Sequence, residues 1–189
     1  MANFTAVFDA CVLYPAPLRD LLMSVALTDQ FRAKWTVEIQ NEWIRNVLKE
    51  RSDISEENLH RTAELMRQAV PDAIVENYEG YIDSLELPDP GDRHVLAAAI
   101  KCQADVIVTN NLRDFPGEVL AKYEVDVQSP DIFLGHLFDL NPTAFCAVVR
   151  QQRERLKNPP YTAEELLGIF YNQGLPITVG KLKEVITLI

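Results

Sequence analysis

Apolar positions along the chain fall into two kinds of pattern. Short unbroken runs, such as Phe4-Thr5-Ala6-Val7-Phe8 and Val106-Ile107-Val108, have the length and composition of buried strands. Longer stretches carry apolar residues at helical spacing. After Pro15 and Pro17, Leu18, Leu21, Leu22 and Val25 share one face. Thr36 stands as an N-cap before a helix whose buried stripe is Ile39, Trp43, Ile44 and Val47. Ser55, followed by Glu56 and Glu57, starts another helix that stops before Pro71. The segment from Pro90 to about Gln103 reads as helix, Asp105 to Val108 as a buried strand, and Tyr123 to Val127 as a short strand closing the sheet. Strands alternating with helices predict an α/β fold on a parallel sheet.

The pattern changes after Ser129-Pro130. Asn141-Pro142 pairs an N-cap with proline at the first helical position and launches a helix to about Leu156. Asn158-Pro159-Pro160 breaks it, Thr162-Ala163-Glu164-Glu165 is a capping box, and Gly174 is a helix stop. Thr178 is expected to begin a last helix that packs through Leu182, Val185, Ile186 and Ile189. The expected organisation is a body over residues 1–135 and a small helical C-terminal extension over residues 136–189.

Composition narrows the class. The 189 residues are 48% hydrophobic and 24% charged, ordinary for a soluble globular protein. No apolar run is long enough to span a membrane, and the start of the chain lacks a basic segment followed by an apolar one. Cys11, Cys102 and Cys146 are too few and scattered for a disulfide framework or a zinc site. The expectation is a cytoplasmic protein with no membrane partner. A net charge of −10 argues against nucleic acid at first sight, since phosphate binding uses Lys and Arg. Bound cations would offset part of it, and basic residues are concentrated locally, as Arg45, Lys49 and Arg51 and as Arg150, Arg153, Arg155 and Lys157. Either run also fits a solvated helix face.

Oxygen donors collect where such a fold binds ligands, just past the carboxyl ends of its strands. Asp9 follows the first strand; Asn110, Asn111 and Asp114 follow the strand ending at Val108. A lone acid at a strand end can instead cap the next helix, but two strand ends both finishing in oxygen donors favour a site. Asp89 before Pro90 reads mainly as an N-cap, whereas Asp92 precedes the small apolar run Val95 to Ile100 and so lies at the sheet rim, which favours a site role. Glu42 competes with Glu38 one turn away on the same face; Glu42 is preferred because it stands beside Trp43. His94 has no second histidine placed to pair with it and reads as a local hydrogen-bonding or substrate contact. Nucleophilic triads, phosphate-binding glycine loops and dinucleotide fingerprints are missing. An all-oxygen set suits Mg²⁺ or Mn²⁺ over zinc or copper.

At Val7-Phe8-Asp9-Ala10-Cys11-Val12-Leu13, Glu42, Asp92 to Ala99 and Val108-Thr109-Asn110-Asn111 with Asp114-Phe115, the chain resembles the PIN-domain family of metal-dependent nucleases. That family includes the VapC-type toxins of bacterial toxin–antitoxin pairs. The resemblance covers residues 3 to 130 and implies a three-layer α/β/α domain around a central parallel sheet, with the helical tail as an extension found in some members. It implies an acidic pocket of Asp9, Glu42, Asp92 and Asp114 binding one or two Mg²⁺ or Mn²⁺ ions, with Thr109 and Asn111 in support; Asp89, mainly a cap, is a further supporting candidate. Arg93 and His94, with Arg45 and Lys49, are the candidate substrate contacts. Cys11 stands where members often carry Asn, and Asn111 where many carry Asp.

The leading expectation is therefore a metal-dependent endoribonuclease that cuts single-stranded RNA by metal-activated water, leaving 5′-phosphate and 3′-hydroxyl ends. Its expected partners are the RNA substrate, a small antitoxin covering the acidic pocket, and a second copy in a homodimer. A PIN-fold RNA- or protein-binding module without catalysis is the alternative, motivated by Asn111. An aspartyl-nucleophile phosphatase is disfavoured, because that chemistry wants a second acid two residues after the first and Cys11 is there.

Overall fold

A computed structural model describes residues 4–189. A sheet of four parallel strands, ordered β2-β1-β3-β4, sits at its centre. The chain begins with β1 (Thr5–Phe8), then α1 (Ala10–Leu13), α2 (Ala16–Ala26) and the edge strand β2 (Arg32–Lys34). Helices α3 (Val37–Glu50), α4 (Glu56–Ala69), α5 (Glu79–Ile82) and α6 (Arg93–Lys101) follow, the last entered through a 3-10 turn, Pro90–Asp92. After β3 (Val106–Val108) come a second 3-10 turn (Leu112–Asp114), α7 (Gly117–Leu120) and β4 (Asp126–Gln128). Helices α8 (Pro130–Leu140), α9 (Pro142–Arg155), α10 (Ala163–Asn172) and α11 (Pro176–Glu184) complete the chain. Right-handed crossovers wind from β1 towards one edge and from β3 towards the other, which puts α2 and α6 on opposite faces of the sheet. The result is the three-layer PIN-like arrangement followed by C-terminal helices.

Local chemistry explains several boundaries. Thr36 Oγ1 accepts from the Ile39 N–H and Ser55 Oγ from the Asn58 N–H. Asn141 Oδ1 accepts from the Ala144 N–H, and Thr162 with Glu165 closes a reciprocal capping box. Each such cap contributes about 1 kcal/mol. Two expectations need correction, and one element went unread. The fourth strand is Asp126–Gln128, not Tyr123 to Val127, because a 3-10 turn occupies Ala121–Tyr123 and Glu124 adopts a left-handed conformation at φ 58°. The last helix starts at Pro176 rather than Thr178, which is buried inside it. The edge strand β2 carries no apolar run to announce it; it forms because Arg32, Ala33 and Lys34 pair with Thr5, Ala6 and Val7.

The C-terminal helices are built into the core. Phe133 of α8 is 2% exposed and meets Phe4, Phe8 and Phe31 edge-on, with ring centroids 6.1, 6.0 and 5.1 Å away. Phe8 directly precedes Asp9, so the tail packs beneath the strand end that carries the first acid. Further along, Gln152 Nε2 donates to the Pro17 carbonyl and Arg155 lies 3.8 Å from Asp20. Arg150 donates to the Leu188 carbonyl and Arg153 to the Tyr161 carbonyl. Most of the basic run thus ties the tail together and to α2 instead of standing free.

Candidate functional site

The sheet order reverses between β1 and β3: one strand connects towards β2, the other towards β4. A parallel sheet leaves a crevice at that reversal, beyond the carboxyl ends of the two strands. Asp9 and Thr109 are the first residues past those ends. Thr109 Oγ1 donates to Asp9 Oδ2 at 2.6 Å, across a sequence separation of 100 residues. Asp9 occupies the N-cap position of α1, yet its side chain caps nothing. Its carboxylate, 3% exposed, is committed to the crevice.

Cys11, absent from the predicted site residues, completes this corner. Its thiol donates to Asp9 Oδ2 at 3.1 Å, lies 3.3 Å from Thr109 Oγ1 and accepts from the Asn110 N–H at 3.2 Å. Burial, reinforced by the charge of Asp9, pushes the thiol up to about 12, so it stays protonated and acts as a donor. The signal was its place two residues after Asp9. Asn111 enters through its backbone, whose N–H donates to Thr109 Oγ1 at 2.9 Å, while the residue itself is exposed.

Asp92 sits at the junction of the 3-10 turn and α6, half-buried. Its carboxyl is raised to about 6, first by burial and then by the charges of Asp9, Asp89, Asp114 and Glu42. The other three predicted acids therefore lie within electrostatic reach of Asp92. Asp114, also half-buried, comes from the 3-10 turn after β3. Asp89 caps the turn, its Oδ1 accepting from the Gly91 N–H at 2.7 Å. Arg93 is half-buried and its Nε has no hydrogen-bond partner.

Glu42 reaches the group from α3, and His94 stands between it and Glu38. His94 Nε2 lies 3.5 Å from Glu42 Oε2 and Nδ1 lies 3.7 Å from Glu38 Oε2. Burial would lower the imidazole, but the hydrogen bond to Glu42 and the charges of Glu38, Glu42 and Asp9 outweigh it and raise it. Tyr78 donates its hydroxyl to Glu38 Oε2 at 2.9 Å. Glu38 is therefore a linked member of the cluster. Arg45 and Lys49 are exposed on α3, one and two turns beyond Glu42. Together with Ile44, Leu48 and His60 they line an open cavity of about 460 Å³.

A hard divalent cation fits this donor set chemically. The carboxylates come from separate elements, and burial with their shared field holds one of them at about 6. Among the described residues, no three His, Cys, Asp or Glu side chains are already drawn together as a ligating cage. The acids thus share a field without closing on one point.

Comparison with known families matches residues 5–113 to the PIN domain and residues 130–184 to the VapC50 C-terminal domain. A protein of Mycobacterium tuberculosis (strain ATCC 25618 / H37Rv), named "Putative ribonuclease VapC50", is 43% identical over 82 residues. That alignment covers 43% of this chain and 48% of the relative, so the chain spans about half the length of the curated relative it matches. No solved structure matches. None of the described helices is long and apolar enough to cross a membrane. With the PIN domain matched over residues 5–113 of 189, and with the parallel sheet and acidic crevice in place, the chain belongs to the PIN-domain family.

Proposed function

We propose that this chain is a Mg²⁺- or Mn²⁺-dependent endoribonuclease that cuts single-stranded RNA in the cytoplasm as the toxin of a toxin–antitoxin pair. One observation carries the reading. Acids from four elements face the switch-point crevice within one another's field, with His94 beside Glu42 alone, and burial together with that field holds Asp92 at about 6. A fold tolerates that repulsion where a cation relieves it. The name of the Mycobacterium tuberculosis relative points the same way.

In this reading residues 1–135 are the catalytic body and residues 136–189 its helical extension, with α8 shared between them. Asp9, Asp92, Asp114 and Glu42 would hold the ion. When bound, it supplies charge stabilisation at the scissile phosphate and a more acidic attacking water. The chain's own side chains do the rest. Thr109 and Cys11 fix the Asp9 carboxylate through Oδ2, and Asn111 fixes Thr109 through its backbone N–H. Asp89 holds the turn that presents Asp92. Arg45 and Lys49 offer phosphate contacts over the apolar floor of Ile44 and Leu48, where a base can rest. The crowded negative charge also gives an antitoxin a place to insert a basic side chain.

The test is cleavage of a mixed single-stranded RNA pool by the purified full chain, with Mn²⁺, Mg²⁺ or EDTA, beside Asp92→Asn. Cutting in metal, with 5′-phosphate products, absent in EDTA and in the variant, is the expected result. RNA binding without cutting under any metal, with antitoxin shown to be absent, would leave a binding module instead.

A further inference from the structure

We propose that His94 is a positioning residue: it fixes the Glu42 carboxylate against the helix that carries Asp92, and Tyr78 and Glu38 hold it from the other side. This rests on the reading of Glu42 and Asp92 as members of a metal-dependent nuclease site. Glu42 is a long side chain on α3, only partly covered, with 31% of its side chain exposed. Left alone it would sample several rotamers, and fixing such a side chain costs conformational entropy. Among the described residues its close polar neighbour is His94 Nε2, at 3.5 Å.

His94 is itself well anchored. Its side chain is 8% exposed and it lies in the first turn of α6, two residues after Asp92. The imidazole thereby couples two separate helices: whatever places α6 places Asp92 and, through His94, Glu42. The opposite nitrogen, Nδ1, is buried without a hydrogen bond and faces Glu38 Oε2 at 3.7 Å, and that oxygen is oriented by the buried Tyr78 hydroxyl. The contacts run in the order Tyr78, Glu38, His94, Glu42, with the imidazole the buried link between two acids that both reach solvent. A protonated imidazole can donate in two opposed directions from one rigid plane, which no amide or hydroxyl side chain reproduces. A histidine serving only as a staple between helices would need neither an acid at the rim of the crevice nor a tyrosine behind the second acid.

The test uses the full chain and a double-mutant cycle over His94→Leu and Glu42→Ala, with His94→Gln as the conservative variant. Steady-state cleavage of an RNA oligonucleotide and calorimetric Mn²⁺ titration are read side by side. Outer-shell support of this kind is worth about 10–100-fold, so His94→Leu should lower kcat and weaken Mn²⁺ binding by that order with KM for RNA little changed. His94→Gln, which keeps one donor towards Glu42, should recover part of both. Adding His94→Leu to Glu42→Ala should cost nothing further. Additive losses, a fall in Tm with kcat and Mn²⁺ affinity intact, or a rise in KM alone would overturn the proposal. Should His94→Leu not fold, Tyr78→Phe takes its place, with a smaller loss expected in the same two quantities and no change in either overturning it. A wild-type chain that cuts RNA while the cycle is additive sinks only the role of His94. One that neither cuts RNA nor binds Mn²⁺ sinks the nuclease reading and this proposal with it.

Discussion

Two of the buried aspartates, Asp131 and Asp9, have surroundings with little in common. Asp131 in α8 is 5% exposed, and each of its carboxylate oxygens accepts a backbone N–H: Oδ1 from Thr178 at 2.8 Å and Oδ2 from Ile177 at 2.9 Å. It closes the N-terminus of α11, where a negative charge is favoured by the helix dipole. Asp9 is 3% exposed, but both its donors are side chains, both act on Oδ2, and its charge reaches another carboxyl, that of Asp92. Burial alone therefore does not mark a functional acid. A structural carboxylate is neutralised by backbone donors that the fold provides; a site carboxylate is held in orientation by side chains while its charge is left uncompensated.

The widest separation between the two should appear on replacing each by asparagine. Asp9→Asn should lower metal-dependent RNA cleavage by at least about a hundredfold, more than loss of an outer-shell partner costs. Its Tm in EDTA should be unchanged or higher, since a repelling charge has gone. Asp131→Asn should do the reverse. It turns an amide N–H₂ towards a backbone N–H and leaves one buried donor unpaired, which costs about 2–3 kcal/mol, or about 5–10 °C in Tm for a chain of this size. Cleavage per folded molecule should be unaffected. Thermal melts and initial rates on the same preparations decide it, and a large Tm loss in Asp9→Asn would erase the distinction.

A smaller effect tests whether charge at the crevice is uncompensated. In metal-free protein Asp92 titrates near 6 when folded and near its ordinary 3.8 when unfolded. Between those values the folded state binds more protons than the unfolded one, so stability falls as pH rises through that window. The penalty is absent below about pH 4 and complete above about pH 6. Asp92→Asn, which cannot ionise, should match wild type at pH 4 in EDTA and melt about 2–4 °C higher at pH 7, a figure discounted for the half-exposed position. Mn²⁺ at pH 7 should narrow or invert the gap by stabilising wild type. Equal melting points across the whole range would mean that neither burial nor its acidic neighbours raise Asp92 in the fold.

The same contrast explains what the sequence made legible. Features decided by neighbours along the chain were readable: the caps at Thr36, Ser55, Asn141 and Thr162, and the apolar runs of β1 and β3. Asp9 and the run Asn110, Asn111 and Asp114 were readable as two strand ends because position in a parallel fold implies position in space, while Thr109 came only from the family resemblance. What could not be read depends on partners far apart in the chain. The edge strand at Arg32–Lys34 exists through its pairing with β1, and α11 starts at Pro176 because Asp131, some 45 residues earlier, accepts its first N–H groups. The link from Tyr78 through Glu38 to His94 spans separate elements that no spacing rule joins. Phe133 shows the same for the tail, whose helices were predictable while their burial beneath β1 was not.

Cys11 offers the finest test, because it asks how much orientation Asp9 needs. The thiol donates to Asp9 Oδ2 and accepts from the Asn110 N–H, and with the thiol pushed up to about 12 both roles persist at any physiological pH. Asparagine, which PIN-domain proteins often carry here, has an N–H₂ and a carbonyl that can fill the same two roles. Cys11→Asn should therefore cut RNA at least as fast as wild type. Cys11→Ala deletes one of two donors to Asp9 and strands the Asn110 N–H, a loss of about 1 kcal/mol, and should be about fivefold slower at equal Tm in EDTA. If alanine were harmless, Thr109 alone would suffice to hold the carboxylate. If asparagine were slower than alanine, the thiol would be doing something an amide cannot, and Asp9 would be tuned by the softness of its neighbour rather than by the number of its hydrogen bonds.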